Sequence, residues 1–387
     1  MRCISFIISF ASAALGARPF LNEPDTGIED AFAISRNGSL PDISRLVGLP
    51  DFDFAARQVL NASTYGQYRY GSGGEWSYRN NLEAFDRLRF RPRVMVDVVN
   101  IEASLGTSIL GFKFSAPFFI SPCATAGMMN SQAERGLVEA AGEEGILYMP
   151  SQASTLSMET ISEARISEDQ VIFQQISPSN NQTFNQLLLR RIEASGAKAI
   201  VLTVDSAGDR TRHRALRYVP DTNIGRQARY TFMTWNYYRE MQNMTSLPII
   251  LKGIQTVEDA RKAIEVGAPA IFLSNHGGRV LDGAPSAVDI ALEIYNKDPD
   301  IFKQIEVYAD GGIRYGTDAL KLFALGVRAV GLGRPFMFAN VYGREGVVRA
   351  SQLLKREIST SAAAMGLGDL KMVDGSYVTE VSNALGS

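Results

Sequence analysis

From about residue 115 onward, eight short apolar runs alternate with amphipathic helical stretches, and this alternation leaves the chain few folds to choose from. The runs are 118–121, 146–149, 171–174, 199–203, 249–251, 270–273, 306–309 and 329–332. Helices are predicted between them at 133–144, 183–195, 256–266, 288–296 and 316–325. Near-continuous apolar strands suit a parallel sheet covered on both faces. Eight βα units in roughly 250 residues match the size of a (β/α)8 TIM barrel. An open doubly wound sheet is the alternative, but no Gly-x-Gly-x-x-Gly turn follows the first run. The expectation is therefore an α/β chain with a barrel over 111–387, preceded by a helical and irregular segment over 18–110. Within that segment a helix is predicted at 51–60. Residues 65–79, rich in Gly and aromatics, read as a functional or mobile loop.

Residues 1–17 have the layout of a secretory signal peptide: Arg2, an apolar run over 4–15, then Gly16 and Ala17. Its cleavage would remove Cys3 and leave Cys123 as the one cysteine, so the core rather than disulfides must hold the fold. Four Asn-x-Ser/Thr sequons, at Asn37, Asn61, Asn181 and Asn243, agree with a secreted or secretory-lumen glycoprotein. The C-terminal Ala-Leu-Gly-Ser is no peroxisomal or retention signal. No later stretch is long and apolar enough to span a membrane. Lys plus Arg number 39 against 41 Asp plus Glu, a net charge of −2. Such a balance carries no electrostatic footprint for nucleic acid or an anionic membrane. With only His213 and His276, a His-rich zinc site or bis-His haem is not expected, and no metal is assigned.

In a barrel, chemistry sits where strands end. After the last two runs come Asp310-Gly-Gly312-Ile-Arg314 and Gly331-Leu-Gly333-Arg334. Glycines there let backbone N–H groups approach an anion, and two arginines add charged donors, which implies a ligand bearing phosphate. Lys252 ends the fifth run at the barrel mouth; its type alone fits a structural ion pair as well as a ligand contact. His276, in Ser274-Asn-His-Gly-Gly-Arg279, is placed to act as a general base beside a carboxylate anchor. Asp205, ending the fourth run, can hold the imidazole. Arg212 can reach the same mouth. His213 reads as surface, and Cys123 as a packing residue.

The segments 274–289 (SNHGGRVLDGAPSAVD) and 310–339 (DGGIRYGTDALKLFALGVRAVGLGRPFMFA) resemble the signatures of the FMN-dependent 2-hydroxy-acid oxidases and dehydrogenases, which include glycolate oxidase, lactate oxidase and flavocytochrome b2. The resemblance extends from about residue 50 to the C-terminus, through 85–98, 202–214 and 246–260. It implies a (β/α)8 barrel with non-covalent FMN and oxidation of a small hydroxy acid. His276 would take the substrate proton, electrons would pass to flavin N5, and Lys252 would steady the reduced flavin. Asp205 would pair with His276, while Arg279 and Arg212 would bind the carboxylate. Pro122, Ala124, Ser151, Gln174, Thr203, Ser274, Asp310, Gly312, Arg314, Gly333 and Arg334 would hold the cofactor. Dioxygen or a diffusible acceptor would reoxidise it, and a homotetramer is the common family assembly.

Two departures bear on substrate. The family's third strand reads Phe-Gln-Leu-Tyr, with the Tyr meeting substrate; here Phe173-Gln174-Gln175-Ile176 lacks that hydroxyl. A second family Tyr, from a Tyr-Tyr pair, falls on Gln67, or on Tyr68 with a shift of one. The loop 215–232 is also shorter than in many relatives. A larger or less polar substrate, used in a specialised pathway, is the resulting expectation. The alternatives are an FMN enzyme acting on a bulkier substrate that is not a hydroxy acid, a nicotinamide-linked dehydrogenase using Cys123, and a non-catalytic flavin-binding protein.

Overall fold

In the computed structural model, which describes Ile28 and residues 38–177, 179–218 and 230–381, one eight-stranded parallel sheet curls into a barrel. Its strands are β1 (Phe118–Ile120), β2 (Leu147–Tyr148), β3 (Phe173–Ile176), β4 (Ala199–Thr203), β5 (Ile249–Ile254), β6 (Ala270–Leu273), β7 (Glu306–Asp310) and β8 (Ala329–Leu332). β8 returns to pair with β1, Val330 opposite Phe118. A parallel bridge between Tyr148 and Ile172 joins the remaining edges, those of β2 and β3. All eight predicted runs are barrel strands, so the open sheet is excluded. The predicted signal peptide with Cys3, the sequon at Asn37 and most of the loop 215–232 lie outside the described residues.

Strand side chains alternate between two faces, and here both faces are buried. Phe119, Leu147, Phe173, Val201, Ile250, Phe272, Tyr308 and Ala329 point inward and form a tight central cluster. Phe119, Phe272 and Tyr308 meet there edge to face, with ring centroids 5.3–6.4 Å apart. The outward set, including Phe118, Ile120, Ile200, Leu202, Leu251, Leu273 and Val330, packs against the helices. A hairpin of Thr107–Ile109 and Phe112–Phe114 seals one end, with Ile109 inserted into the inner cluster. That hairpin straddles the boundary placed at 110/111.

The five predicted barrel helices form, each within two residues of expectation. Their labels follow three N-terminal helices: α1 (Leu49–Val59), α2 (Ala62–Arg69) and α3 (Trp76–Glu83), then α4 (Glu134–Glu143), α5 (Gln182–Ala194), α6 (Val257–Glu265), α7 (Ala287–Lys297) and α8 (Gly316–Ala324). Local caps start them: Asn181 accepts from Phe184 N at α5, Thr256 from Asp259 N at α6, and Ser286 with Asp289 forms a capping box at α7. Residues 65–79 are not a loop. They form the end of α2, a turn and the start of α3. The turn is stapled to the mouth: Ser72 N donates to Gly278 O (2.8 Å), and Gly73 N to Thr211 O (2.9 Å). No helix among the described residues is long and apolar enough to cross a membrane.

Candidate active site

The inward face of six of the eight strands changes character toward its C-terminal end. In steps of two, Phe119 leads to Ser121, Phe173 to Gln175 and Ser177, Val201 to Thr203 and Asp205, and Ile250 to Lys252. Phe272 leads likewise to Ser274 and His276, and Tyr308 to Asp310. This polar rim opens on a cavity of about 640 Å³, within the range of cofactor and ligand sites. Pro122, Ala124, Ser151, Thr203, Lys252, Asp310, Gly312, Arg314, Gly333 and Arg334 line it, as do His276, Arg279, Arg212 and Tyr68. Asp205 and Ser274 stand behind His276 and Lys252.

Gln174 does not line the cavity. It is buried, its amide donating to the carbonyls of Pro150 and Gln175. The period of two puts Gln175 on the wall instead, where it accepts from Ser151 Oγ (3.0 Å) and donates to Thr203 Oγ1 (2.9 Å). The same period sends Ile176 into the outer core and brings Ser177 to the cavity. The alternation thus puts Ser177, and not Ile176, at the cavity position expected of the family tyrosine. Counting by twos from Phe173 would have found both residues. Tyr68 lines the cavity, but its hydroxyl is turned to the carbonyls of Ala124 (2.5 Å) and Thr125 (2.7 Å). Gln67, one residue earlier, faces the cations.

Lys252 is aimed by a bulge in β5, where the register shifts between Lys252 and Ile254. Gly253, at φ +110°, makes that bulge possible: a Cβ there would lie 2.5 Å from Asp205 Cβ. The Lys252 amine donates to Ser274 Oγ (2.8 Å) and lies 3.4 Å from Asp310 Oδ2. Ser274 Oγ in turn donates to Asp310 Oδ1 (2.6 Å) and accepts the His276 backbone N–H (3.0 Å). One hydroxyl thus ties three strand ends together with its full hydrogen-bonding capacity.

His276 has φ +60°, followed by two more left-handed residues, Gly277 and Gly278. A non-glycine residue there carries strain, which surrounding contacts must hold. A Cβ on Gly278 would come 2.5 Å from Tyr78 N, so the loop packs directly on α3. His276 Nδ1 lies 3.0 Å from Asp205 Oδ1. Burial, the largest single effect, pushes the Asp205 carboxyl up, but the His276 hydrogen bond together with the charges of His276, Lys252 and Arg210 outweighs it and holds the carboxyl below its usual range, so it is ionised and can only accept. The proton is therefore on Nδ1 and the lone pair on Nε2. Burial outweighs Asp205 and pushes the His276 pKa down to about 4, with Lys252 and Arg210 acting in the same direction. The imidazole is neutral at neutral pH.

Arg212 donates to Gln67 O (3.1 Å) and Gln67 Oε1 (3.2 Å), and Arg279 Nη2 donates to the same Gln67 carbonyl. Arg279 Nε is buried without a partner among the described residues. Burial, with Arg334 and Arg212 nearby, lowers its pKa to about 9, so it is still a cation at neutral pH. Arg334 donates to Tyr68 O (2.8 Å) and Gly277 O (2.9 Å). Burial raises the Cys123 thiol pKa, which opposes a thiolate role. His213 is exposed at the start of a short helix, as expected. Among the described residues no group of His, Cys, Asp or Glu could hold a metal ion.

A profile of the FMN-dependent dehydrogenase family matches residues 56–232 and 221–380. The chain belongs to that family. It is 34% identical over 355 residues to the L-lactate dehydrogenase (cytochrome) of Saccharomyces cerevisiae, covering 85% of this chain and 60% of that protein. It is 32% identical over 360 residues to the glycolate oxidase of Spinacia oleracea, covering 86% and 95%. The recombinant flavin-binding domain of baker's yeast flavocytochrome b2 superposes with a TM-score of 0.83 at 30% identity, covering 89% of this chain and 91% of that one. The chain spans 60% and 64% of the lengths of the two lactate dehydrogenase (cytochrome) relatives.

FMN is the cofactor of this family, and the residues present fit it. Hydrogen-bonding groups of Ser151, Gln175 and Thr203 converge beside the buried Lys252 amine. Arg314 and Arg334 stand beside bare backbone at Gly311–Gly312 and Gly331–Gly333, a cationic cradle for phosphate. A Cβ at Gly331 would fall 2.2 Å from Ser121 Oγ, so only glycine keeps this wall open.

Proposed function

We propose that this chain oxidises the hydroxyl-bearing carbon of a 2-hydroxy acid or a related carboxylate-bearing alcohol. The observation that carries the reading is the pairing of His276 with Asp205 beside Arg212 and Arg279 in one cavity. The two guanidinium groups bind the substrate carboxylate, displacing their hold on Gln67. His276 Nε2 takes the substrate proton, and Asp205 stabilises the imidazolium that forms. The Asp310–Ser274 pair fixes Lys252 so that its charge faces the cofactor. Bound FMN supplies the electron acceptor, and dioxygen or a diffusible acceptor reoxidises it. Ser177 in place of a tyrosine removes a phenol from the substrate side and leaves room for a larger side chain, in keeping with a specialised substrate.

The test is anaerobic addition of 2-hydroxy acids of increasing side-chain size to the FMN-loaded protein, followed by visible absorption. Bleaching by at least one acid is expected; bound flavin that no acid bleaches would overturn the reading. Replacing Arg279 with Lys removes the planar fork, and KM is expected to rise about tenfold or more. Steady-state kinetics with the best acid measures it. The pH profile is a third check. The base works only unprotonated, so kcat/KM is expected to climb through pH about 4 and stay level through neutrality. An acid limb centred near 6.5 would contradict the lowered pKa of the half-buried imidazole. We also propose a secretory-pathway location, supported by the leader-like residues 1–17 and the exposed sequon residues Asn61, Asn181 and Asn243. Sequencing the N-terminus of the mature protein tests it.

A further inference from the structure

The mouth holds more positive charge than a 2-hydroxy monoacid can use. Lys252 faces Asp310, and Asp205 is hydrogen-bonded to His276. Arg314 and Arg334 belong to the phosphate cradle. Arg212 and Arg279 share Gln67 O, and together they match one carboxylate. A third guanidinium, Arg210, stands apart from them. Its Nε and Nη2 donate to Ser206 Oγ (3.1 and 2.7 Å), and its Nη1 lies 3.4 Å from His276 Nε2. No carboxylate among the described residues lies within ion-pair distance of it. Asp205, the nearest acid acting on it, gives its hydrogen-bonded oxygen to the imidazole.

The contact with Nε2 is informative. That nitrogen carries the lone pair the reaction needs, so Arg210 covers the base while no substrate is present. A productive substrate must draw the guanidinium aside, and a neutral side chain offers nothing to draw it with. An anionic group two or three carbons from the hydroxyl does. It would accept from Arg210 in a charge-assisted pair and expose Nε2 in the same movement. Ser177 leaves space on the cavity wall for a side chain of that length. The sequence run Arg210-Thr-Arg212 contains both cations, but motif comparison singles out only Arg212.

We propose that Arg210 forms a second anion subsite beside His276 and that the substrate is a 2-hydroxy acid carrying a second carboxylate or similar anion. The proposal rests on the hydroxy-acid oxidation proposed above and deepens it. Its chemistry is unchanged: the hydroxyl-bearing carbon and its oxygen lose two protons and two electrons, one proton to His276 and the electron pair with the other proton to bound FMN, and with a carboxylate as the second anion a 2-oxo diacid results.

The experiment compares 2-hydroxyglutarate with its distal monoamide, which has the same shape but one charge fewer. The FMN-loaded wild-type protein and Arg210→Gln and Arg210→Lys variants are used. In wild type, kcat/KM is expected to favour the diacid by about tenfold or more. The preference should fall to near unity in Arg210→Gln and return in part in Arg210→Lys. An equilibrium readout accompanies it: 2-oxoglutarate should perturb the flavin spectrum at lower concentration than its distal monoamide, again only when residue 210 is cationic. Equal use of diacid and monoamide by wild type overturns the subsite and leaves hydroxy-acid oxidation standing. So does an Arg210→Gln variant that loses activity on both compounds alike, because Arg210 would then only position the loop. Bound flavin that neither these compounds nor any simple 2-hydroxy acid bleaches overturns the underlying reaction, and the subsite with it.

Discussion

Replacing His276 with Gln is expected to lower kcat/KM by about 10²–10⁴-fold, the usual contribution of a positioned general base. Glutamine keeps a polar group of similar reach but has no lone pair able to take a proton at neutral pH. The loss should fall on the reductive half-reaction, read as the rate of anaerobic flavin bleaching, while the content of bound FMN stays at the wild-type level. This separation is expected because the phosphate cradle and the Ser151–Gln175–Thr203 wall do not involve the His276 ring, and the backbone N–H that His276 gives to Ser274 survives the substitution. An Asp205→Asn variant should follow the same pattern, since the amide can donate to Nδ1 and move the proton to Nε2, where it blocks the base. A His276→Gln protein that bleached at the wild-type rate would end the proposed mechanism.

Replacing Gly312 with Ala has the largest effect expected on the fold. Gly312 sits at φ +87°, and a Cβ there would lie 1.8 Å from the Asn81 carbonyl oxygen, a backbone atom of α3 that cannot swing away. Left-handed strain of about 1–3 kcal/mol adds to overpacking of about 1–3 kcal/mol, for a loss of roughly 2–6 kcal/mol. Gly111 is the control: its φ is +82°, but nothing lies within 4 Å of its Cβ position. Gly111→Ala therefore isolates the backbone term, and thermal melts of the two variants give the clash by difference. The damage at Gly312 should also reach the base. Asn81 exchanges two hydrogen bonds of 2.8 Å with Asn275, the neighbour of His276. If the Gly312→Ala melt matches that of Gly111→Ala, the close packing of this turn on α3 is not real.

The barrel was legible because its strands are buried on both faces, which writes them as unbroken apolar runs with polar punctuation. The five barrel helices were legible from amphipathic period and from caps such as Thr256 and Ser286. The helices α2 and α3 were not, because Gly66, Gly71, Gly73 and Gly74 and several tyrosines dilute any helical pattern, although Asn61 carries a cap signal for α2. At the site, His276, Asp205 and Lys252 were legible as polar groups at strand ends, and the fold brings them to one mouth. Motif similarity points to Gln174, whereas the alternation of the strand places Gln175 at the cavity. The Asn81–Asn275 pair spans 194 positions, and no local signal could announce it. The position of Arg210 against Nε2 is equally a product of the fold, since the two residues come from loops after different strands.

The two-step gradient along six of the barrel strands, apolar at the floor and polar at the rim, has a consequence for how such a protein can change over time. Ile250 and Lys252 are neighbours on one face, yet the first belongs to the cluster that keeps the barrel closed and the second to the ionic rim. The same holds for Phe272 and Ser274, and for Phe173 and Gln175. Stability and reactivity are thus written on separate residues of the same strand. A lineage can exchange Tyr for Ser at position 177, or admit an arginine at 210, without renegotiating the packing below. Heritable variation in substrate should therefore collect in the last inward position of each strand and the loop beyond it, while the floor drifts only among residues of similar volume.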